Sequence, residues 1–235
     1  MRIAGITDIG LRRKRNEDRY LIDEDRQLFA VCDGMGGHKG GDVAAQLAVD
    51  TVQNKLDFAH PQQIVLALQA VVRLANRLIY EQGQSDEALH EMGTTLTAAV
   101  IVDHKMVVAH VGDSSLFHYQ DGRLNKVTRD HTLAEQMLTD GLIKPADLPD
   151  NVYNHVLTRA VGIDPQVEVD TYQVELKPGD WILLCSDGLT DLVKEEVIAQ
   201  HLSTASTPQS TARALLDSAL TLGGYDNVTI VLVSI

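Results

Sequence analysis

The spacing of apolar positions changes several times along the chain, and each change predicts an element. Residues 20–23 and 28–33 are short apolar runs either side of a polar turn at 24–27, which predicts two strands. From 42 to 56, Val43, Leu47 and Val52 recur near helical spacing. A second helix over 64–80 carries Ile64, Leu68, Val71, Val72, Ala75 and Leu78 on one side. The pattern then shortens. Strands are predicted at 94–102, 106–111 and 115–120, with Gly112-Asp113-Ser114 between the last two and Asp121-Gly122 ending the third. A short helix near 132–139 leads into an irregular stretch over 140–158. Strands at 167–176 and 181–185 flank the turn Lys177-Pro178-Gly179-Asp180, helices follow at 189–202 and 208–222, and 227–235 closes as a strand. Strand runs and helix pairs, rather than strict alternation, predict an α+β fold. There is no internal repeat, low-complexity tract or linker, so one domain is expected over 1–235.

Composition narrows the function classes. With 44% hydrophobic and 23% charged residues in 235, the chain is expected to bury a core. Its longest apolar runs, at 97–102 and 227–235, are too short to cross a bilayer, and no apolar run of signal-peptide length follows Met1. A cytoplasmic protein without a membrane segment is expected. Two cysteines, Cys32 and Cys185, make no disulfide framework. The net charge of −13 (20 basic against 33 acidic residues) argues against a nucleic-acid partner. Such an excess of carboxylates is ordinarily a solvated surface, so position has to decide what these do.

Several aspartates share one setting. Leu28-Phe29-Ala30-Val31-Cys32 runs into Asp33-Gly34, Trp181-Ile182-Leu183-Leu184-Cys185 into Ser186-Asp187-Gly188, and Val107-Val108-Ala109-His110-Val111 into Gly112-Asp113-Ser114; Asp226-Asn227 precedes the apolar run 228–233. Any one Asp-Gly or Asp-Asn pair is ordinary turn chemistry. Together they suggest more. Asp33 and Asp187 end strands and Asp226 starts one, so antiparallel neighbours would bring them to one sheet edge. Bare carboxylates gathered there repel and are costly to bury. Divalent cations resolve that conflict, and all-oxygen ligation suits Mg²⁺ or Mn²⁺. The one dense basic run, Arg12-Arg13-Lys14-Arg15, stands directly before Asn16-Glu17-Asp18. A charge run is usually a solvated face. Beside a metal–carboxylate cluster, however, a guanidinium supplies the charge-assisted hydrogen bonds a phosphate ester needs.

These residues also form a series. Gly5-Ile6-Thr7-Asp8-Ile9-Gly10 with Arg13 and Asn16-Glu17-Asp18, then Asp33-Gly34-Met35-Gly36-Gly37-His38, resembles the opening of the bacterial type 2C metal-dependent protein phosphatases, the PPM family. Gly93-Thr94-Thr95, Gly112-Asp113-Ser114, Leu157-Thr158-Arg159-Ala160-Val161-Gly162, Ser186-Asp187-Gly188-Leu189-Thr190-Asp191 and Asp226-Asn227-Val228-Thr229 continue the pattern in order, over almost the whole chain. The resemblance implies a four-layer αββα sandwich, two packed antiparallel sheets flanked by helices, with a flap at about 136–158. It implies hydrolysis of phosphoserine and phosphothreonine in proteins by water activated between two metals, without a covalent intermediate. Asp33 would bridge two Mn²⁺ or Mg²⁺ ions, with the Gly34 carbonyl, Asp187 and Asp226 completing the core site. Asp113 with Asp187 would hold a third ion. Glu17 and Asp18 would act through metal-bound water or by holding Arg13, and Arg13 would bind the substrate phosphate. The implied partners are phosphoproteins made by a Ser/Thr kinase, and a monomer is expected.

The sequence departs from the family's pattern in places. Ser115 follows Asp113-Ser114 where many members have Arg. Asn151-Val152-Tyr153-Asn154-His155 stands where relatives often carry His-Pro-x-Arg-Asn, so the flap differs. Met35 occupies the place of a His proposed as general acid in animal members, leaving His38 as the candidate proton donor to the leaving oxygen. Rival phosphatase chemistries find no support. Six residues after Cys32 and Cys185 stand His38 and Asp191, not the Arg of a C-x₅-R loop, and Asp23-Glu24-Asp25 is followed two residues on by Gln27, not Thr or Val. Gly34 to Gly41 fits neither G-x-G-x-x-G nor a P-loop, since Lys39 takes the third glycine's place and Asp42 follows Gly41. An inactive relative serving as a binding module would be expected to lose Asp33, Asp187 or Asp226; all three are present.

Overall fold

The computed structural model describes residues 1–36, 40–57, 60–148 and 151–235. The strands are β1 (Arg2–Asp8), β2 (Arg19–Asp23), β3 (Leu28–Cys32), β4 (Gly34–Met35), β5 (Gly93–Thr94), β6 (Leu96–Val102), β7 (Lys105–Val111), β8 (Ser115–Gln120), β9 (Arg123–Lys126), β10 (Asp170–Glu175), β11 (Trp181–Cys185) and β12 (Val228–Ser234). The helices are α1 (Gly41–Lys55), α2 (Ile64–Ser85), α3 (Leu133–Thr139), α4 (Asp187–Thr190), α5 (Glu195–Ser203) and α6 (Pro208–Thr221). Two five-stranded antiparallel sheets result, ordered β1-β12-β11-β8-β9 and β10-β7-β6-β3-β2, with β4 and β5 as a separate pair.

The central strands explain the layering. Along β3, Leu28, Ala30 and Cys32 face α1 and α2, while Phe29 and Val31 face the other sheet. Along β11, Leu183 and Cys185 join the layer under α5 and α6, while Ile182 and Leu184 point inward; β12 divides the same way, with Ile230 and Leu232 outward and Val231 and Val233 inward. A strand covered on both faces reads as a continuous apolar run with period-two sorting. The outcome is three apolar layers and four layers of secondary structure, an α+β sandwich.

Several expectations change. The 189–202 helix is two pieces, α4 and α5. The buried face of α1 is made by Ala44, Ala45, Ala48, Val49 and Val52; Val43 and Leu47 are only partly covered. Small side chains let that helix lie close to its sheet, which an apolar-spacing argument built on large residues overlooks. Strands β1 and β9 were not foreseen. Both are edge strands, and β9 (Arg-Leu-Asn-Lys) is mostly solvent-facing, so neither shows an apolar run. The β8–β9 hairpin turns at Asp121 (φ 51°) and Gly122 (φ 80°), both left-handed, as a tight two-residue hairpin requires. The predicted strand over 94–102 is interrupted at Thr95, and the break matters for the site.

Candidate metal centre

Strands β11 and β12 are antiparallel neighbours, so Asp187, just after the first, and Asp226, just before the second, lie at the same end of one sheet. Asp33 arrives from the other sheet, at the end of β3. The carboxylates therefore meet across the sandwich, not along one sheet edge as the pattern suggested. They meet in a cleft of about 1050 Å³ lined by Arg13, Glu17, Asp33, Gly34, Asp113, His155, Asp187, Asp191 and Asp226, among others.

Backbone and side-chain hydrogen bonds fix this convergence. At the break after β5, Thr95 N–H donates to Asp33 O (2.8 Å), and Asp33 N–H donates to Thr95 Oγ1 (2.9 Å). Thr95 Oγ1 also pairs with Ser114 Oγ (2.7 Å), tying the Asp33 corner to the Gly112-Asp113-Ser114 turn. Asn227 staples the third corner: its amide donates to Ile9 O (3.0 Å) and Arg15 O (2.9 Å), and its Oδ1 accepts from Glu17 N–H (2.8 Å). Two glycines permit close approach. A Cβ on Gly34 would collide with Gly41 O, and one on Gly188 with Asn227 O. Asn227, Thr95 and Ser114 were read only as parts of motifs. Their roles are long-range hydrogen bonds, which local spacing does not reveal.

Asp18 lies beneath the cleft, 1% exposed, and its Oδ2 accepts from Ser186 Oγ (2.7 Å), which itself accepts from Thr229 N–H (2.9 Å). Arg13 stands at the rim and pairs with Asp226 Oδ2 (2.5 Å), so it is held by Asp226 and not by Asp18. That ion pair, then the charges of Asp33 and Asp187, stabilise the guanidinium cation. His38 lies outside the described residues. His155 and Asp191 also line the cleft, although neither was singled out as a site residue. Asp191 was findable: it follows Asp187 by four, the spacing that puts two side chains on one helix face.

The electrostatics show why cations belong here. Burial, then the charges of Asp18, Asp187 and Asp113, pushes the Asp33 carboxyl well above the ordinary range. Asp113 is pushed well up by burial and by Asp187, and Asp187 is raised by burial and by Asp226. Asp18 rises to about 6 through burial, and Asp191 to about 7 through burial and Asp187. Asp18 Oδ1 and Asp187 Oδ1 are buried without a hydrogen-bond partner. Crowded, raised carboxylates with orphaned oxygens are a donor set that hard divalent cations fit.

The family model for protein phosphatase 2C matches residues 12–221. The chain belongs to the protein phosphatase 2C family. Among family relatives, the serine/threonine phosphatase stp of Listeria monocytogenes is 36% identical over 234 residues, which cover 97% of this chain and 93% of that protein. The crystal structure of the Mycobacterium tuberculosis serine/threonine phosphatase PstP/Ppp superposes with a TM-score of 0.92 at 35% identity, covering 98% of this chain and 97% of that one. The catalytic domain of PstP in complex with two manganese ions superposes with a TM-score of 0.88, again at 35% identity, covering 98% and 96%. Membership of the protein phosphatase 2C family accounts for the four layers and for a metal-dependent centre. Among the described residues no helix is long and apolar enough to cross a membrane.

Proposed function

We propose that this chain hydrolyses phosphoserine and phosphothreonine in proteins, as one phosphatase domain over 1–235 with a flap at about 136–158. Asp33, the Gly34 carbonyl, Asp187 and Asp226 would hold two divalent cations, Mn²⁺ or Mg²⁺, with Asp33 shared between them, and Asp113 with Asp187 would hold a third. The observation that carries this reading is the meeting of Asp33 with Asp187 and Asp226 from opposite sheets, with an orphaned buried oxygen on Asp187. When bound, such cations acidify water and offset charge on a phosphoryl group. The chain's own residues then orient the ester. Arg13 is half exposed at the rim, where its guanidinium can turn from Asp226 to grip two phosphoryl oxygens as charge builds on them. Glu17 and Asp18 shape the surrounding field: burial raises both carboxyls, and the Ser186 hydroxyl holds Asp18 in place. His38 is the candidate proton donor to the leaving oxygen.

Neither cysteine can serve as nucleophile. Cys32 and Cys185 are the last residues of β3 and β11, fully buried and facing the helices, and burial pushes both thiols far up. Direct attack by water, without a covalent intermediate, fits that arrangement. The natural substrates are phosphoproteins made by a Ser/Thr kinase, met by a cytoplasmic monomer. The test is hydrolysis of a phosphothreonine peptide by the purified protein with Mn²⁺, with EDTA, and after Asp187→Asn. Turnover only in the wild-type, metal-loaded protein is expected; equal turnover with metal stripped would refute the reading.

A further inference from the structure

Arg13 is one of four consecutive cations at 12–15, the densest basic run in a chain of net charge −13. The run lies in the loop after β1, where residues 11–15 are all exposed. Its backbone is tied down: Leu11 N–H donates to Gly224 O (2.7 Å), and the Asn227 amide donates to Ile9 O (3.0 Å) and Arg15 O (2.9 Å). Gly10 is left-handed (φ 75°), and a Cβ there would collide with Asp226 O. The two loops are thus laced together at the mouth of the cleft, which Arg13, Lys14, Arg15 and Tyr225 all line. Arg13 is engaged by Asp226. Among the described residues no ion pair engages Arg12 or Lys14. Arg12 lies instead over the Tyr225 ring, its guanidinium carbon 6.0 Å from the centroid. A guanidinium held by its face keeps its N–H edges to donate. Leu11 and Tyr225, 64% and 58% exposed, give these cations an apolar border.

We infer that Arg12, Lys14 and Tyr225 form a specificity subsite for an acidic side chain, aspartate or glutamate, within three residues of the phosphoresidue. The inference rests on reading the cleft as a phosphatase centre, and it names the class of phosphoprotein segment that centre selects. An extended peptide advances about 3.3 Å per residue, so a phosphoresidue gripped by Arg13 carries its neighbours across the flanking side chains of the same loop. A carboxylate arriving there meets the Arg12 edge and the Lys14 ammonium. The Tyr225 ring and Leu11 keep water from one side, which strengthens the contact beyond that of a fully solvated pair. The molecule as a whole is acidic and repels such a segment, so this rim decides where it lands and in which direction it runs. An anionic membrane surface would meet the same net charge over a far larger area and be repelled.

The test is a set of phosphothreonine peptides with alanine at the flanking positions and a single Glu or Lys placed within three residues on either side. The wild type with Mn²⁺ is expected to hydrolyse the best Glu peptide about five- to tenfold more efficiently than the all-alanine peptide, mainly through KM, with the advantage shrinking as salt rises. Arg12→Glu combined with Lys14→Glu is expected to turn the preference towards Lys. Arg73→Glu combined with Arg77→Glu, exposed on α2, changes the net charge equally and is expected to keep the preference for Glu. All four side chains are exposed, so both variants should fold normally. Fluorescence anisotropy of the same peptides carrying a nonhydrolysable phosphonate reads the subsite without turnover. No Glu preference in the wild type, a preference that survives in the first double variant, or its equal loss in both would overturn the inference. Phosphatidylglycerol vesicles that bind the wild type but not the first variant, with no Glu preference, would assign the run to a membrane surface instead. Hydrolysis without Glu preference sinks the subsite and leaves the phosphatase; Glu-selective binding without hydrolysis does the reverse.

Discussion

Removing one buried charge beneath the cleft should make the metal-free protein more stable. Asp18 is the clearest case, because it is 1% exposed and one of its oxygens has no partner. Burial raises its carboxyl from the ordinary 3.8 to about 6. At about 1.4 kcal/mol per pH unit, the ionised form costs the fold about 3 kcal/mol. Asp18→Asn keeps an oxygen to accept from Ser186 Oγ and deletes the charge. In EDTA at pH 7 the variant should gain up to about 3 kcal/mol, which for a chain of this length raises Tm by roughly 6–12 °C.

The pH dependence follows from the direction of the shift. Below about pH 4, Asp18 is protonated in both folded and unfolded chains and contributes no difference. Between about 4 and 6 only the folded chain keeps the proton, so wild-type stability falls as pH rises; above about 6 the whole cost is present. The gap between variant and wild type should therefore open from pH 4 to 6 and stay constant to pH 8. Saturating Mn²⁺ should narrow or invert it, because cations offset the Asp18 charge and so bind the wild type more tightly than the variant; at saturation each tenfold difference in Kd is worth about 1.4 kcal/mol. Urea denaturation in EDTA and in Mn²⁺, at pH 4.5 and 7, measures all of this. A variant less stable than wild type in EDTA at pH 7 would show that the buried carboxylate is compensated, and would undo the electrostatic case for cations.

Three further outcomes are expected. Arg13→Ala should raise KM for a phosphothreonine peptide roughly 10–100-fold, the worth of a charge-assisted hydrogen bond, while leaving Mn²⁺ affinity intact or slightly higher because Asp226 loses its competitor; a collapse of metal affinity in calorimetry would make Arg13 structural. Gly188→Ala puts a methyl against Asn227 O, where only backbone can yield, and should cost about 3 kcal/mol in urea denaturation; a change under about 1 kcal/mol would refute the close-approach argument. Phe29→Ala, fully buried between the sheets, should cost about 3–5 kcal/mol, and a loss below about 1.5 kcal/mol would mean the intersheet layer can collapse around the gap.

How much of this was legible in the sequence depends on what each feature needs. Strands β3, β11 and β12 were readable because both faces are covered, leaving unbroken apolar runs that end at Asp33 and Asp187 or begin after Asp226. Strands β1 and β9 were not, because edge positions carry Arg, Asn and Lys as readily as apolar residues. The aspartates that converge in the cleft were legible, and the way they converge was not. Nothing local says that β3 belongs to one sheet and β11 and β12 to the other, since that is decided by pairing between distant segments. The Arg13–Asp226 pair spans 213 positions and the Ser186–Asp18 bond 168, beyond the reach of any spacing argument. His155 was visible only as a departure from a family pattern; its approach to Asp191 required the fold.

The two-sheet origin of the ligands has a mechanical consequence. Asp33 is carried by a sheet that meets its partner through Phe29, Val31, Ile182, Leu184, Val231 and Val233, hydrocarbon side chains that interlock by shape alone. Carboxylate repulsion at one end of that layer would push the sheets apart, and bound cations would draw them together. Metal affinity and intersheet packing are therefore coupled: whatever loosens the layer relaxes the ligand geometry, and whatever fills the site tightens the layer. Phe29→Ala should for that reason weaken Mn²⁺ binding although Phe29 is no ligand, whereas an equally costly truncation under the outer helices, such as Leu215→Ala, should lower stability and leave the affinity nearly unchanged. Equal losses of affinity in the two variants would mean that the ligands follow global stability, and that the sheets meet as one rigid body.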